Sequence, residues 1–197
     1  MAGIDSVAPG SGESPWRDEV VAATVAWLEN AVIGLNLCPF ARAVHQGNRI
    51  RIVVTDASNP DRLADVLQDE LEFLAAADAA AVETTLLVHT CVLGDFLDYN
   101  DFLDVADAVV DEAGLTGVVQ VASFHPRYQF EGTAPDDIDN FSNRSPYPTL
   151  HLLREESVER AVAAYGDTDR IFQANIETLR RLGREGWERL GLPSGDS

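Results

Sequence analysis

Between residues 49 and 126, three strand-like segments alternate with two amphipathic segments of helical periodicity. The strand-like segments are rich in β-branched and apolar residues, and read RIRIVVTD (49–56), ETTLLVHTCVL (83–93) and GVVQVASFHP (117–126). A helix that joins two parallel strands of one sheet almost always makes a right-handed crossover. The three strands are therefore predicted to be parallel. The apolar second and third strands are typical of strands buried on both faces.

The two intervening segments carry helix-start and helix-stop residues. Asn59-Pro60 places a capping residue before a proline at the first helical position. In DYNDFLDVADAVVDEAG, Asp98 is predicted to cap the helix and Gly114 to end it. The apolar stripe of this second helix is predicted to contain Phe102, Val105, Val109 and Val110.

The remaining chain extends this pattern. A helix is predicted from Ser14-Pro15 to about Gly34, and a fourth strand, PTLHLLRE (148–155), follows a loop of roughly twenty residues. Two helices close the chain. The predicted fold class is α/β, with a small, mainly parallel four-stranded sheet covered by helices, in which the direction of the fourth strand is left open. Residues 15–190 are predicted to form a single domain between a disordered tail (1–14) and a flexible tail (191–197).

The charge of the chain excludes several classes of partner. It contains 33 acidic and 14 basic residues, the basic residues are all arginine, and the formal net charge is −19. Such a surface disfavours nucleic acids and anionic membranes. Without lysine there is no Schiff-base amine or P-loop lysine, and GxGxxG is also absent. The sequence therefore has no nucleotide-cofactor fingerprint, and the cofactor is unknown. Two cysteines, no apolar run of membrane-spanning length and no apparent signal peptide favour a cytoplasmic protein.

Three of the four histidines lie in or at predicted strands. Ligands of open parallel sheets bind at the carboxyl ends of the strands, where His89 and His125 are predicted to emerge from adjacent strands. His151 lies within the fourth strand. These histidines could act as acid–base catalysts, pack as satisfied core residues, or bind a metal ion, although no HxH or HExxH spacing is present.

Cys38 lies in GLNLCPFAR, just after the predicted end of the first helix. A thiol near a protonated histidine becomes a nucleophilic thiolate, whereas a thiol in apolar surroundings is inert. The neighbours Leu35, Leu37 and Phe40 keep the packing interpretation open.

The loop before the fourth strand carries polar side chains in NRSPYP, where two prolines are predicted to stiffen it. Arg144 could clamp a carboxylate or phosphate. Tyr128 and Tyr147 could supply hydroxyl groups, and Asn143 and Ser145 could contact a substrate. Alternatively, Asn143, Arg144 and Ser145 only satisfy the loop backbone.

Several long motifs carry a resemblance to a known family: GLNLCPFA, TTLLVH, DFLDYNDFLD, VASFHPRYQFEGT, NRSPYPTLHLLRE and SVERAV. From about Trp27 to Leu182 the chain resembles the bacterial family catalogued as domain of unknown function 1415. The resemblance implies no particular reaction. The family pattern has a proline after VH, where this chain has Thr90 and then Cys91, so Cys91 lies outside it. The residues that belong to family motifs are Cys38, Pro39, His89, His125, Tyr128, Asn143, Arg144, Tyr147 and His151.

Together these features predict an enzyme that hydrolyses a small anionic metabolite or transfers a group to or from it. His125 and His151 are the expected acid–base pair, Arg144 the anion clamp and Cys38 a candidate nucleophile. The remaining candidate residues are Tyr128 and Tyr147 for catalysis, and His89, Asn143 and Ser145 for substrate binding. Two alternatives stay open: a non-enzymatic protein that binds a ligand or partner, and a His-liganded metalloprotein. The oligomeric state is not predicted.

Overall fold

The computed structural model describes residues 15–165 and 168–193, in which helices cover both faces of a four-stranded sheet. The predicted α/β class is confirmed. The predicted tail at 1–14, and residues 194–197 of the predicted tail at 191–197, lie outside the described residues. The strands are β1 (Ile50–Thr55), β2 (Thr84–His89), β3 (Val119–Phe124) and β4 (Thr149–Arg154). The helices are α1 (Pro15–Trp27), α2 (Ala41–Gln46), α3 (Pro60–Ala76), α4 (Phe96–Glu112), α5 (Glu155–Tyr165) and α6 (Thr168–Glu188), with a π-helical turn at Leu28–Ile33 and a 3-10 helix at Ile138–Asn143.

The sheet is mixed, so the prediction of a mainly parallel sheet is wrong. Its strand order is β1-β2-β4-β3; β1 and β2 are parallel, and β4 is antiparallel to both of its neighbours. The crossovers do leave β1, β2 and β3 pointing the same way. However, α4 carries the chain across a gap one strand wide. The loop after β3 then returns to the sheet at the carboxyl end of β3, so β4 enters this gap in the opposite direction.

One face of the sheet, here called the α3/α4 face, packs against α3 and α4. Its core contains four fully buried leucines of α3 and the α4 residues Tyr99, Phe102, Ala106 and Val110. The strands contribute Leu87, Val119, Leu150 and Leu152. Because side chains alternate along a strand, His151 between Leu150 and Leu152 must point to the opposite face.

The opposite face, here called the α1 face, is covered by α1 and the π-helical turn. Val20 of α1 packs with Val54 and Val88 of the sheet. Trp27 meets Phe124 of β3 edge to face, with their ring centroids 5.3 Å apart. The aromatic and aliphatic contacts of α1 therefore cross the sheet from β1 towards β3.

The helix boundaries follow from local capping, with one correction. The Asn59 side chain accepts from the Arg62 backbone N–H, as expected for the N-cap of α3. In α4, the N-cap is Asp95, whose carboxylate accepts from the Leu97 N–H, and the prediction of Asp98 is wrong. The first turn of α4 lacks strong apolar periodicity, so the sequence pattern did not show where α4 begins. Val105 is 44% exposed instead of lying in the buried stripe, where Ala106 takes its place.

Candidate functional site

Two of the predicted site histidines flank a buried tyrosine at the carboxyl ends of β2 and β3. His89, Tyr99 and His125 are all completely buried. The Tyr99 ring lies 5.8 Å from the His89 ring and 5.1 Å from the His125 ring, measured between centroids. The structure thus brings His89 and His125 to the same end and face of the sheet, as predicted. The strands that carry them are not adjacent, because β4 lies between them.

Both histidines bind the turn that leads from β2 to α4. His89 Nδ1 lies 3.0 Å from the Val92 carbonyl oxygen, and His125 Nε2 lies 3.3 Å from that of Leu93. The Arg127 guanidinium donates to the next carbonyl, that of Gly94. Three successive carbonyl groups are therefore held by side chains, and Leu93 adopts a positive φ of 55° within this turn.

Burial sets the protonation state of both rings, and their hydrogen bonds set the tautomers. Burial lowers the pKa of His89 and of His125 to about 4, so both are neutral at pH 7. His125 Nδ1 accepts from the Arg127 backbone N–H at 3.0 Å, which makes Nε2 the donor. His89 Nε2 is buried and has no hydrogen-bond partner among the described residues. His125 thus has no ring nitrogen left for proton transfer.

His151 lies on the α1 face and is not brought together with His125. Its Nε2 is 2.7 Å from Thr84 Oγ1, and that hydroxyl donates to the Leu152 carbonyl oxygen at 2.6 Å. Since the single hydroxyl proton is used, Thr84 accepts from His151 Nε2–H, and Nδ1 carries the lone pair. The ring is half-buried, and loss of hydration lowers its pKa to about 4. His151 is therefore a neutral imidazole of fixed tautomer.

Cys38 lies on the same side of the sheet as His151. It is a half-buried free thiol that packs against the cluster around Trp27 and the π-helical turn. Phe124 packs against the same cluster, and its ring centroid lies 6.0 Å from that of His151. The preceding carbonyl, that of Leu37, accepts from Asn175 of α6. An aromatic layer thus connects the surroundings of Cys38 and His151.

The predicted anion clamp is engaged with its own loop. Arg144 donates from Nε to the Tyr128 carbonyl oxygen at 3.3 Å and from Nη2 to that of Pro135. Its guanidinium carbon lies 4.2 Å from the Phe141 ring centroid. Burial, and then the nearby Arg184, lower the pKa of Arg144. Only Nη1 has no hydrogen-bond partner within the described chain.

The other loop candidates also support the backbone. Asn143 donates to the Ser123 carbonyl oxygen at 3.2 Å, and Ser145 donates to that of Tyr147 at 2.6 Å. The Tyr147 side chain packs against the Val20 cluster on the α1 face. Tyr128 lies between Phe96 and Phe130, at centroid distances of 5.1 and 5.0 Å. The loop is therefore a packed, cross-bonded element.

A comparison with protein families shows which family this chain matches. A family model described as "Protein of unknown function (DUF1415)" matches residues 19–189. The chain belongs to this family. Comparisons with curated proteins and with solved structures found no match. In this DUF1415 chain, the quoted motifs fall between the π-helical turn and α2, on β2, on the start of α4, on the segment from β3 through β4, and on α5.

Sequence reasoning missed the partners of the DUF1415 histidines. Thr84 opens β2, and nothing in its spacing indicates that β4 will place His151 beside it. Tyr99 lies in the motif DFLDYNDFLD, three residues before Phe102, and helical periodicity could have indicated that it faces the sheet. Asn140 is fully buried, accepting from the Phe130 N–H and Thr133 Oγ1 and donating to the Ala134 carbonyl oxygen.

The described part of this DUF1415 chain supports neither a metal site nor a membrane-spanning helix. Across residues 15–165 and 168–193, no group of three His, Cys, Asp or Glu side chains could hold a metal ion. Over the same residues, no helix combines the length and apolarity needed to cross a membrane.

Proposed function

We propose that this protein is an enzyme that hydrolyses a small metabolite, or transfers a group to or from it, on the α1 face, with His151 as general base. The observation that carries the proposal is the hydrogen bond between His151 Nε2 and Thr84 Oγ1. A partner that holds one imidazole nitrogen orients the other towards a substrate.

His151 has the protonation state that a base requires. Burial lowers its pKa to about 4, so the ring is neutral at pH 7 and can accept a proton, as a weaker base than an ordinary imidazole. Its Nε2 is held by Thr84, and its Nδ1 has no hydrogen-bond partner in the described chain. In the proposed step, Nδ1 takes the proton of a water molecule or of a substrate hydroxyl, while the oxygen attacks the electrophilic centre. The leaving group then departs with the proton from Nδ1, so the imidazole is regenerated as the neutral form.

Two further residues define the proposed chemistry. Cys38 is the candidate nucleophile for a covalent variant of the reaction. In this variant its thiol proton passes to His151 Nδ1, the sulfur bonds to the electrophilic centre, and the bond to the leaving group breaks as that group takes the proton. Water or an acceptor then attacks the same centre and releases the Cys38 thiol. Arg144 supports an anionic substrate, because its Nη1, which has no hydrogen-bond partner among the described residues, can bind a carboxylate or phosphate. Since its other donors are held by the loop, this charge would be presented in a fixed orientation.

The experiment compares wild-type protein with four variants on panels of carboxylic esters, thioesters and phosphate esters. His151→Gln should reduce turnover by roughly 10²–10⁴-fold, as loss of a general base does. Thr84→Val should produce a smaller loss because it only releases the ring, and Cys38→Ser separates the covalent route from the direct one. His45→Gln is the matched control, since His45 lies on α2 and pairs with Glu29. Equal activity in wild type and His151→Gln contradicts the proposal.

A second candidate function is ligand binding without turnover. It is favoured by the use of His89, His125 and Arg144 to hold backbone carbonyl groups, which builds a rigid frame instead of supplying free catalytic groups. Retention of one metabolite in a 1:1 ratio from a mixture, with no product formed over prolonged incubation, would support this function over catalysis.

A further inference from the structure

The outer edge of β3 lacks the charged residues and prolines that usually protect an edge strand. The sheet ends with β3 on one side, and its sequence, VQVASF, contains neither charge nor proline. Natural sheets normally block an exposed edge with such residues, because its free N–H and C=O groups template another strand. Gln120 is exposed and Val118 is 46% exposed, so this edge reaches solvent.

The hydrogen bonds of β3 show which backbone groups point outward. In an antiparallel pair, the N–H and C=O of one residue point the same way, and the next residue points oppositely. The Phe124 N–H and the Thr149 carbonyl oxygen face each other across Tyr99 Oη, and the Val118 carbonyl oxygen accepts from Glu155 N–H. The backbone N–H and C=O groups of the even-numbered residues of β3 therefore point towards β4. Those of Val119, Val121 and Ser123 point away from it.

The chain itself closes both ends of this outer edge and leaves its centre open. At one end, the Val119 N–H donates to the Leu115 carbonyl oxygen. At the other, Asn143 binds the Ser123 carbonyl oxygen and its own carbonyl oxygen accepts from the His125 N–H. Four groups have no partner among the described residues: the Val119 carbonyl, both groups of Val121, and the Ser123 N–H. They form a slot for one short strand.

The slot is bordered by an acidic groove. A cavity of about 360 Å³ lies beside β3, lined by Val119, Val121, Asp107, Glu155 and their neighbours. Asp107 is exposed on α4 and Glu155 begins α5. With a net charge of −19 on the chain, a cationic side chain is the complementary occupant of this groove.

We infer that the β3 edge binds an extended basic peptide segment of a partner protein, which pairs with Val119, Val121 and Ser123 as a fifth strand. Backbone hydrogen bonds to the four open groups provide the pairing, and one arginine or lysine side chain of the peptide lies between Asp107 and Glu155. A second copy of this chain is disfavoured, because it would bring two acidic grooves and two charges of −19 together.

The test uses the full chain and a capped peptide of sequence Thr-Val-Arg-Val-Thr, with Thr-Val-Glu-Val-Thr as the control peptide. Amide exchange is followed by NMR at low ionic strength as the peptide is raised to about 1 mM. In the free protein, the amides of Val121 and Ser123 should exchange rapidly while that of Ala122 is protected. The arginine peptide should slow exchange at Val121 and Ser123 by about tenfold, and the glutamate peptide should not.

Two variants separate pairing from charge. Val121→Pro removes the outward N–H, which an edge strand tolerates, together with the Val121 side chain, and should abolish binding. Val121→Ala removes the side chain but keeps the N–H, so it is the matched control and should retain binding. Asp107→Asn combined with Glu155→Gln keeps the slot and should weaken binding about threefold to tenfold. Thermal unfolding checks that each variant folds; if the proline variant does not, the charge variant and the exchange data decide.

Three results would overturn the inference. Slow exchange of the Val121 and Ser123 amides in the free protein, relieved by deletion of residues 1–14, would assign the slot to the chain's own segment. Protection that grows with protein concentration would assign it to a second copy. Absence of any effect of the arginine peptide at these two amides would remove the site.

Discussion

At the residue scale, His89, His125 and His151 make different hydrogen bonds. His89 and His125 hold the carbonyl groups of Val92 and Leu93, whereas His151 binds the Thr84 hydroxyl. His89 and His151 each have a second ring nitrogen without a partner in the described chain, and that of His89 is completely buried. The three rings have the same lowered pKa of about 4, so their pKa values alone do not separate structural from catalytic roles. The proposed role of His151 rests instead on its bond to Thr84 and on a ring that is only half-buried.

Tyr99 provides a residue-scale prediction. Its hydroxyl accepts from the Phe124 N–H and donates to the Thr149 carbonyl oxygen, so it bridges a widened pair of β3 and β4. Tyr99→Phe leaves both groups buried and unpaired, and should lower the free energy of unfolding by about 1–3 kcal/mol in urea titrations. Tyr128→Phe is the control, because the Tyr128 hydroxyl makes no hydrogen bond in the described chain. Equal losses in the two variants would contradict the bridging role.

At this scale, the sequence shows the residue types and which side chains of a strand lie on the same face. Period-two alternation correctly separates the His89 face from its opposite, but the pairing of His125 with His151 fails geometrically. The two lie on neighbouring strands, yet Phe124 and His151 share a face while His125 does not. The register of β4 decides this, and register depends on tertiary packing instead of local propensity.

At the element scale, the long loop after β3 and helix α6 support each other. Arg180 of α6 donates from Nε and Nη2 to the buried Asp139 carboxylate at 3.0 and 2.6 Å, and Arg184 donates to the Asp136 carbonyl oxygen. Hydrogen bonding to Asp139 raises the pKa of Arg180. These contacts fix α6 against the 3-10 helix that precedes β4.

Removing the acid should loosen both elements together. Asp139→Asn should increase deuterium uptake in α6 and in residues 134–144, measured by mass spectrometry, because the two charge-assisted bonds weaken. Glu185→Gln provides the control on α6, since its pair with Arg189 is exposed. Faster exchange confined to the 3-10 helix, with α6 unchanged, would show that α6 is held by apolar packing alone.

The elements themselves were largely predictable, whereas their arrangement was not. Strand composition, the Asn59-Pro60 start and the Gly114 stop locate β1 to β4, α3 and α4 to within a few residues. Nothing local indicates that the loop, after leaving β3, returns into the gap between β2 and β3. The short helix α2 and the 3-10 helix lack an apolar repeat, and the sequence offered no signal for them.

At the scale of the whole molecule, the sheet separates the face that holds the larger core from the face that carries the proposed site. The α3/α4 face contains the larger apolar core and the histidines that hold the turn after β2, and the α1 face contains His151 and Cys38. Neither this division nor the reaction could be predicted from composition, since the charge of −19 constrains partners and not chemistry.

The buried neutral histidines predict a pH dependence of global stability. Between pH 4 and 6.5 an unfolded histidine binds a proton that folded His89 does not, so stability is retained above pH 6.5 and lost as pH falls towards 4. The slope contributed by one such residue is up to about 1.4 kcal/mol per pH unit. Urea unfolding of His89→Gln should show a shallower pH dependence than wild type. Parallel curves for the two proteins would contradict neutral burial of His89.

The ¹⁵N NMR spectrum of the His151 imidazole between pH 4 and 8, assigned with His151→Gln, tests most directly whether His151 is an oriented base. We expect a proton on Nε2, an unprotonated Nδ1 at pH 7, and titration only near pH 4. Thr84→Val should release this tautomer and raise the pKa towards 6.5, as the ring rotates to water. A proton on Nδ1, or a pKa near 6.5 in the wild-type protein, would contradict His151 as an oriented base.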